Sequence, residues 1–118
     1  MELWNPAVEL MPREEMRVLQ LEKLTRQLTR VYEQSPYYKA KFDRAKVHPS
    51  KLRSIEDLRH FPFFDKDEER ASQDASKRRF HHPLGLHITC DPKKVIRISS
   101  TSGTTGNKSA LVDRRYEV

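Results

Sequence analysis

From residue 13 onward the apolar positions recur every three or four residues. Val18, Leu21, Thr25, Leu28 and Tyr32 make one stripe, and Leu24 and Val31 widen it, against a background of Arg, Glu, Lys and Gln. That spacing predicts an amphipathic helix from residue 13 to about residue 33. Glu14 and Glu15 fall in its first turn, where the helix dipole favours carboxylates. The stripe covers too few heptads for a coiled coil and is read as packing inside a domain.

Proline and capping residues divide the chain beyond this helix. Ser35-Pro36 ends the first helix and opens a second, with Ser35 as N-cap and Pro36 at the first helical position. This second helix runs from residue 37 to about 46 and puts Tyr38, Phe42 and Ala45 on one face; His48-Pro49 ends it. Ser54-Ile55-Glu56-Asp57 has capping-box spacing and starts a third, with Leu58 and Phe61 expected to be buried. The cluster Phe61-Pro62-Phe63-Phe64 is expected to anchor the next loop against the core. Asp65 with Glu68 caps a fourth, short helix through about residue 72.

The periodic pattern is absent on either side of this region. Residues 1–12 hold Trp4, Pro6 and Pro12 and read as an extended arm that docks through Trp4 and Leu10. Residues 72–82 are polar and basic and read as an exposed insertion or loop. Pro83-Leu84-Gly85-Leu86 is a turn, and Cys90 to Lys94 leads into Val95-Ile96-Arg97-Ile98, a β-branched run typical of a strand. Ala110-Leu111-Val112 reads as a second strand. The division is therefore an arm at 1–12, helices at 13–72, a loop or insertion at 73–93, and strand, loop, strand at 94–118.

Between the two strands lies the stretch that reads as chemistry. Ser99 to Thr105 carry hydroxyls at every position except Gly103, and Gly106 follows. Glycines let a backbone approach a ligand closely and turn its N–H groups toward an anion. The hydroxyls add donors without bulk, and Lys108 adds one mobile positive charge. Thr101, Ser102, Gly103, Thr104, Thr105, Gly106 and Lys108 are thus candidate phosphate-binding residues. The P-loop pattern G-x-x-x-x-G-K-[ST] does not fit, because Asn107 separates Gly106 from Lys108. A hairpin whose loop lies over a nucleotide's phosphates fits better. An ordinary Ser/Thr/Gly linker is the competing reading.

Composition narrows the class. With 118 residues, 36% apolar, 34% charged and a mean hydropathy of −0.86, the chain is at most one ordinary domain with a thin core. It is expected to be small and helical, or a piece of something larger. No apolar run is long enough to span a membrane, no charged-then-apolar leader is seen, and the single Cys90 excludes an intrachain disulfide framework. A cytoplasmic location is expected. The net charge of +6 and pI near 9.6 suit nucleotides, CoA-like ligands and nucleic acid alike. Lys77-Arg78-Arg79-Phe80-His81-His82 is the densest basic patch, with a solvated loop as its plain reading. His81, His82, His87 and Cys90 match no standard zinc spacing, so no metal site is expected, and Cys90 lacks the partners of a nucleophile.

Several segments together resemble a known family. Trp4-Asn5-Pro6, Arg13-Glu14-Glu15, Ser35-Pro36-Tyr37-Tyr38, Lys41-Phe42, Ile55-Glu56-Asp57-Leu58, Phe61-Pro62-Phe63, Lys66-Asp67 and Pro83-Leu84-Gly85-Leu86 stand in the order and rough spacing of the start of phenylacetate-CoA ligases. Ser102-Gly103-Thr104-Thr105-Gly106 resembles the phosphate-binding loop of adenylate-forming enzymes. The resemblance implies an α/β fold, α+β for the isolated stretch: N-terminal helices, then a β-hairpin carrying the phosphate loop, at the start of the large N-terminal domain. It implies a reaction in which an aryl carboxylate such as phenylacetate attacks the α-phosphate of ATP with Mg²⁺ present. The CoA thiol then displaces AMP from the acyl-adenylate. Ser102 to Gly106 would hold the β- and γ-phosphates.

Such enzymes are several times longer, so the chain is expected to be an N-terminal fragment, inactive alone, that associates with the missing remainder or through its exposed helix face. The alternative reading is a small noncatalytic module that binds nucleotide or RNA through the loop and residues 77–82.

Overall fold

The computed structural model describes residues 2–100 and the backbone of residues 110–114. In order these form a short helix α1 (Pro6–Glu9), α2 (Arg13–Gln34), α3 (Pro36–Arg44), 3₁₀ turns at Pro49–Lys51 and Ile55–His60, α4 (Lys66–Phe80), a 3₁₀ turn at Pro92–Lys94, and the strands β1 (Val95–Ser100) and β2 (Ala110–Arg114). Helices followed by a β-hairpin is the arrangement the sequence predicts.

Helices α2 and α3 meet where the sequence places the break. Ser35 is extended, its hydroxyl accepts the Tyr38 N–H at 3.4 Å, and Pro36 occupies the first helical position. Their shared face forms the core: Val31, Phe42, Leu52 and Phe61 are buried, with Leu21, Leu24, Leu28, Tyr32, Tyr38 and Val47 packed around them. The Phe42 and Phe61 rings stand edge to face at 5.2 Å. On the outer side Tyr32 donates to Asp43 at 2.8 Å, and Lys39 donates to both, at 3.1 Å and 3.0 Å. Arg17 pairs with Glu56 and so ties α2 to the Ile55–His60 turn. That turn begins as expected, with the Ser54 N–H donating to the Asp57 carboxylate at 2.9 Å.

Some expectations need correction. Trp4 is 97% exposed and Leu10 is also exposed, so the arm does not dock through them. Residues 6–9 instead wind into α1, whose entry is closed by the Asn5 N–H donating to Glu9 at 2.7 Å. Val18 is exposed, and the residues of α2 that pack against the core begin at Leu21. Ala45 and Leu58 are exposed as well, and in the aromatic cluster Phe61 is buried while Phe63 is 93% exposed.

The largest correction concerns residues 72–82. They are not a loop: α4 continues to Phe80 and ends at His81, which adopts a left-handed conformation at φ 58°. The buried positions of α4 are Ser72, Gln73 and Ser76, so its inward face is polar and leaves no apolar period to detect. Its N-terminus is legible, because Asp65 accepts the Glu68 N–H at 2.8 Å. Its basic C-terminus, Lys77 to Arg79, complements the helix dipole.

Candidate functional site

Strands β1 and β2 pair antiparallel, with Ser100 opposite Ala110, Ser99 opposite Leu111 and Ile98 opposite Val112. The pairing is irregular between Val95 and Arg97. Residues 101–109 lie in sequence between these two paired strand ends. The candidate phosphate residues Thr101, Ser102, Gly103, Thr104, Thr105, Gly106 and Lys108 all fall in that stretch and lie outside the described residues. What is described is the base that carries it.

That base is a capped turn. Asp91 accepts the Lys93 N–H at 2.9 Å through its side chain and the Lys94 N–H at 2.9 Å through its carbonyl, which sets the entry into β1. Leu84, 4% exposed, shares a small groove with Pro92 and residues 95–98. The turn bearing Leu84 is in turn held by α4. The Ser76 hydroxyl, fully buried, accepts the Gly85 N–H at 2.9 Å and faces the carbonyls of His82 and Gln73 at 2.8 Å and 2.9 Å. One turn earlier Ser72 accepts the N–H groups of Leu86 at 2.7 Å and His87 at 3.2 Å. Gly85 has φ +92°, and a Cβ there would clash with the His87 ring.

Sequence reasoning missed these two serines. Hydroxyls at i and i+4 share one face of a helix, but on a helix polar all round that spacing does not reveal the turn they will hold.

A second cluster fastens the other end of α4. Lys41 pairs with Glu68, Tyr37 donates to Glu68 at 3.3 Å, and the Lys41 ammonium sits 5.6 Å from the Phe64 ring centre. The Lys41 contact holds the Glu68 carboxyl below the usual carboxylate range, while burial, with Glu68 alongside, pushes the Tyr37 phenol up. This cluster docks α4 on α3.

Between α3, the end of α4 and the segment leading to β1 lies a groove of about 660 Å³, with Tyr37, Arg79, Phe80, Leu86, Ile88 and Cys90 among its lining residues. Phe80 and His82 stack nearly parallel at 6.1 Å. Burial, reinforced by Asp91, raises the Cys90 thiol pKa, so it is no activated nucleophile. Among the described residues no group of three or more His, Cys, Asp or Glu side chains is placed to hold a metal ion, and no helix is long and apolar enough to cross a membrane.

No protein-family model matches the chain. It is 36% identical over 109 residues to the phenylacetate-coenzyme A ligase of Thermus thermophilus, which is 92% of this chain and 22% of that enzyme. It is 34% identical over 98 residues to the enzyme of the same name from Escherichia coli, 83% of this chain and 20% of that one. Among solved structures it is similar to 2-hydroxyisobutyryl-CoA ligase in the postadenylation state with 2-HIB-AMP, with a TM-score of 0.81 and 29% identity over 95% of this chain and 22% of the other. The same ligase with 2-HIB-AMP and CoA in the thioesterification state matches at 0.81 and 32% identity, over 95% and 23%. The chain thus spans about a fifth of the length of the relatives it matches. Over that fifth of their length, the chain is a relative of the phenylacetate-coenzyme A ligases and shares the fold of an adenylate-forming CoA ligase.

Proposed function

We propose that the chain is the phosphate-binding part of an enzyme that activates a carboxylic acid with ATP and transfers the acyl group to CoA. An aryl acid such as phenylacetate is the favoured substrate, from the names of the sequence relatives. The observation that carries the reading is the antiparallel pairing of Ser100 with Ala110, which brackets the glycine- and hydroxyl-bearing residues 101–109 between two strand ends. On this reading the N–H groups and hydroxyls of Thr101 to Gly106, with Lys108, hold the β- and γ-phosphates. They stabilise charge as it moves onto the pyrophosphate leaving group, a task for fixed donors rather than a protein nucleophile. Mg²⁺ would arrive with the nucleotide and neutralise part of its charge. The described residues supply the mounting: Asp91, Leu84 and the α4 serines fix the strand that leads into the loop.

The experiment is a chimera in which this chain replaces the matching segment of the Thermus thermophilus ligase. Thioester formation from phenylacetate, ATP and CoA is expected, and removal of loop donors by Thr104→Val with Thr105→Val should lower it about 100-fold or more. A folded chimera whose activity ignores those substitutions would overturn the assignment. The noncatalytic RNA-binding alternative is less supported, because Lys77 to Arg79 already have a structural account at the end of α4.

A further inference from the structure

Ser72 and His87 form a pair whose hydrogens can be counted. The Ser72 oxygen accepts two backbone N–H groups, from Leu86 and His87, and these occupy its two lone pairs. Its third contact is His87 Nδ1, at 2.9 Å. The hydroxyl proton must therefore point at Nδ1, which makes that nitrogen an acceptor and leaves the proton of the neutral ring on Nε2. The ring is seated by its surroundings: Phe64 lies 4.9 Å and Tyr37 6.4 Å from its centre, and Gly85 passes beneath it without room for a Cβ.

We propose that the Ser72–His87 pair is a protonation-sensitive latch, which holds the turn at residues 83–87 against α4 only while the imidazole is neutral. Protonation puts a hydrogen on Nδ1, facing an oxygen that already receives two. Either the ring must swing out from between Phe64 and Tyr37, or Ser72 must give up one of the N–H groups of Leu86 and His87. Both routes loosen the turn that places Leu84 at the foot of β1.

The groups facing the ring are Ser72 and Glu69 from α4, Tyr37 from α3, Phe64 from the segment before α4, and Gly85 from its own turn. The Tyr37 hydroxyl is turned to Glu68, itself paired with Lys41. The Glu69 carboxylate favours the protonated ring and burial disfavours it; burial is the larger effect and lowers the His87 pKa from its ordinary 6.5. The latch therefore stays closed at neutral pH and opens on acidification. This inference is independent of the ligase assignment.

The test is NMR on the 118-residue chain. The His87 ring should show the Nε2–H tautomer at pH 7.5. The protection factor of the Leu86 or the His87 amide, or of both, should fall about tenfold as the ring titrates, the order expected for losing one hydrogen bond. In His87→Asn, whose Oδ1 stands in for Nδ1 but does not titrate, that pH step should vanish. An Nδ1–H tautomer, or protection of both the Leu86 and His87 amides that ignores ring protonation, would overturn the proposal. Ser72→Ala should remove Leu86 protection at every pH; were that variant to unfold, the tautomer and His87→Asn measurements still decide.

Discussion

The Ser76 hydroxyl on α4 receives the backbone N–H of Gly85 at 2.9 Å, across a stretch of chain that includes the end of the helix. The same hydroxyl faces the His82 carbonyl at 2.8 Å, so one side chain satisfies both sides of the turn in a fully buried position. Ser76→Ala leaves a donor and an acceptor without partners, at about 1–3 kcal/mol for each group that water cannot reach. Chemical denaturation of the chain should show a loss of that order. A change below about 0.5 kcal/mol would mean that water replaces the hydroxyl.

Gly85 combines a left-handed backbone with contact to an imidazole. Gly85→Ala should destabilise by about 1–2 kcal/mol from backbone conformation alone, with a further penalty from displacing His87. Because the two penalties share a partner, Gly85→Ala and His87→Ala should be non-additive, the double variant being more stable than the sum of the single changes. Strict additivity in a double-mutant cycle would show that the ring yields freely.

The core should respond sharply at one aromatic and hardly at all at another. Phe42 is 3% exposed and packs on Phe61 and Tyr38, so Phe42→Ala should cost about 3–5 kcal/mol. For a chain with so few buried apolar residues this amounts to unfolding, visible by circular dichroism. Phe63→Ser, at a 93% exposed site, should stay within about 0.5 kcal/mol.

Glu68 gives an acid limb to stability. Its folded pKa is depressed by Lys41, so protonation is easier in the unfolded chain. The contribution is present above the ordinary carboxylate value of 4.5 and is lost as pH falls through the lowered folded value. Lys41→Met should flatten that part of a plot of melting temperature against pH. An unchanged slope would assign the acid sensitivity to other carboxylates.

On the proposed function, calorimetry of the chain with ATP should detect binding that Gly106→Val and Lys108→Ala weaken. Indifference to both substitutions would place any nucleotide site elsewhere, with the groove beside Tyr37 and Phe80 as the next region to probe.

The sequence was readable where apolar period and capping agree. Ser35-Pro36, the stripe from Leu21 to Tyr32 and the Asp65-Glu68 cap each predict a boundary or a face that the fold uses. It misled where burial is achieved by hydroxyls: Ser72 and Ser76 are as buried as the core, yet an inward face built of serine looks like a solvated loop. Trp4 and Phe63 misled in the opposite sense, because a large ring predicts burial only when a neighbouring element covers it, and here none of the described elements does. For the candidate site, the strand–loop–strand order was legible from glycine and β-branched residues, whereas the serine mounting beneath it depends on contacts between α4 and residues 82–87 that no local pattern encodes.

The irregular pairing at Val95 and Arg97 sits at the root of the hairpin, opposite the end that bears the loop. Val95 and Ser100 bound β1, which at about 3.3 Å per residue places its tip about 17 Å from its root. The ribbon is therefore a lever arm: a rotation of about 5° at its root sweeps the tip through about 1.5 Å, by that same strand rise. Displacements of about 1 Å are enough to cost a reaction about 100-fold through misalignment. On the proposed function, substitutions at Leu84, Pro92 or Val95 in the chimera should therefore act as changes of aim, lowering turnover while leaving nucleotide affinity nearly intact.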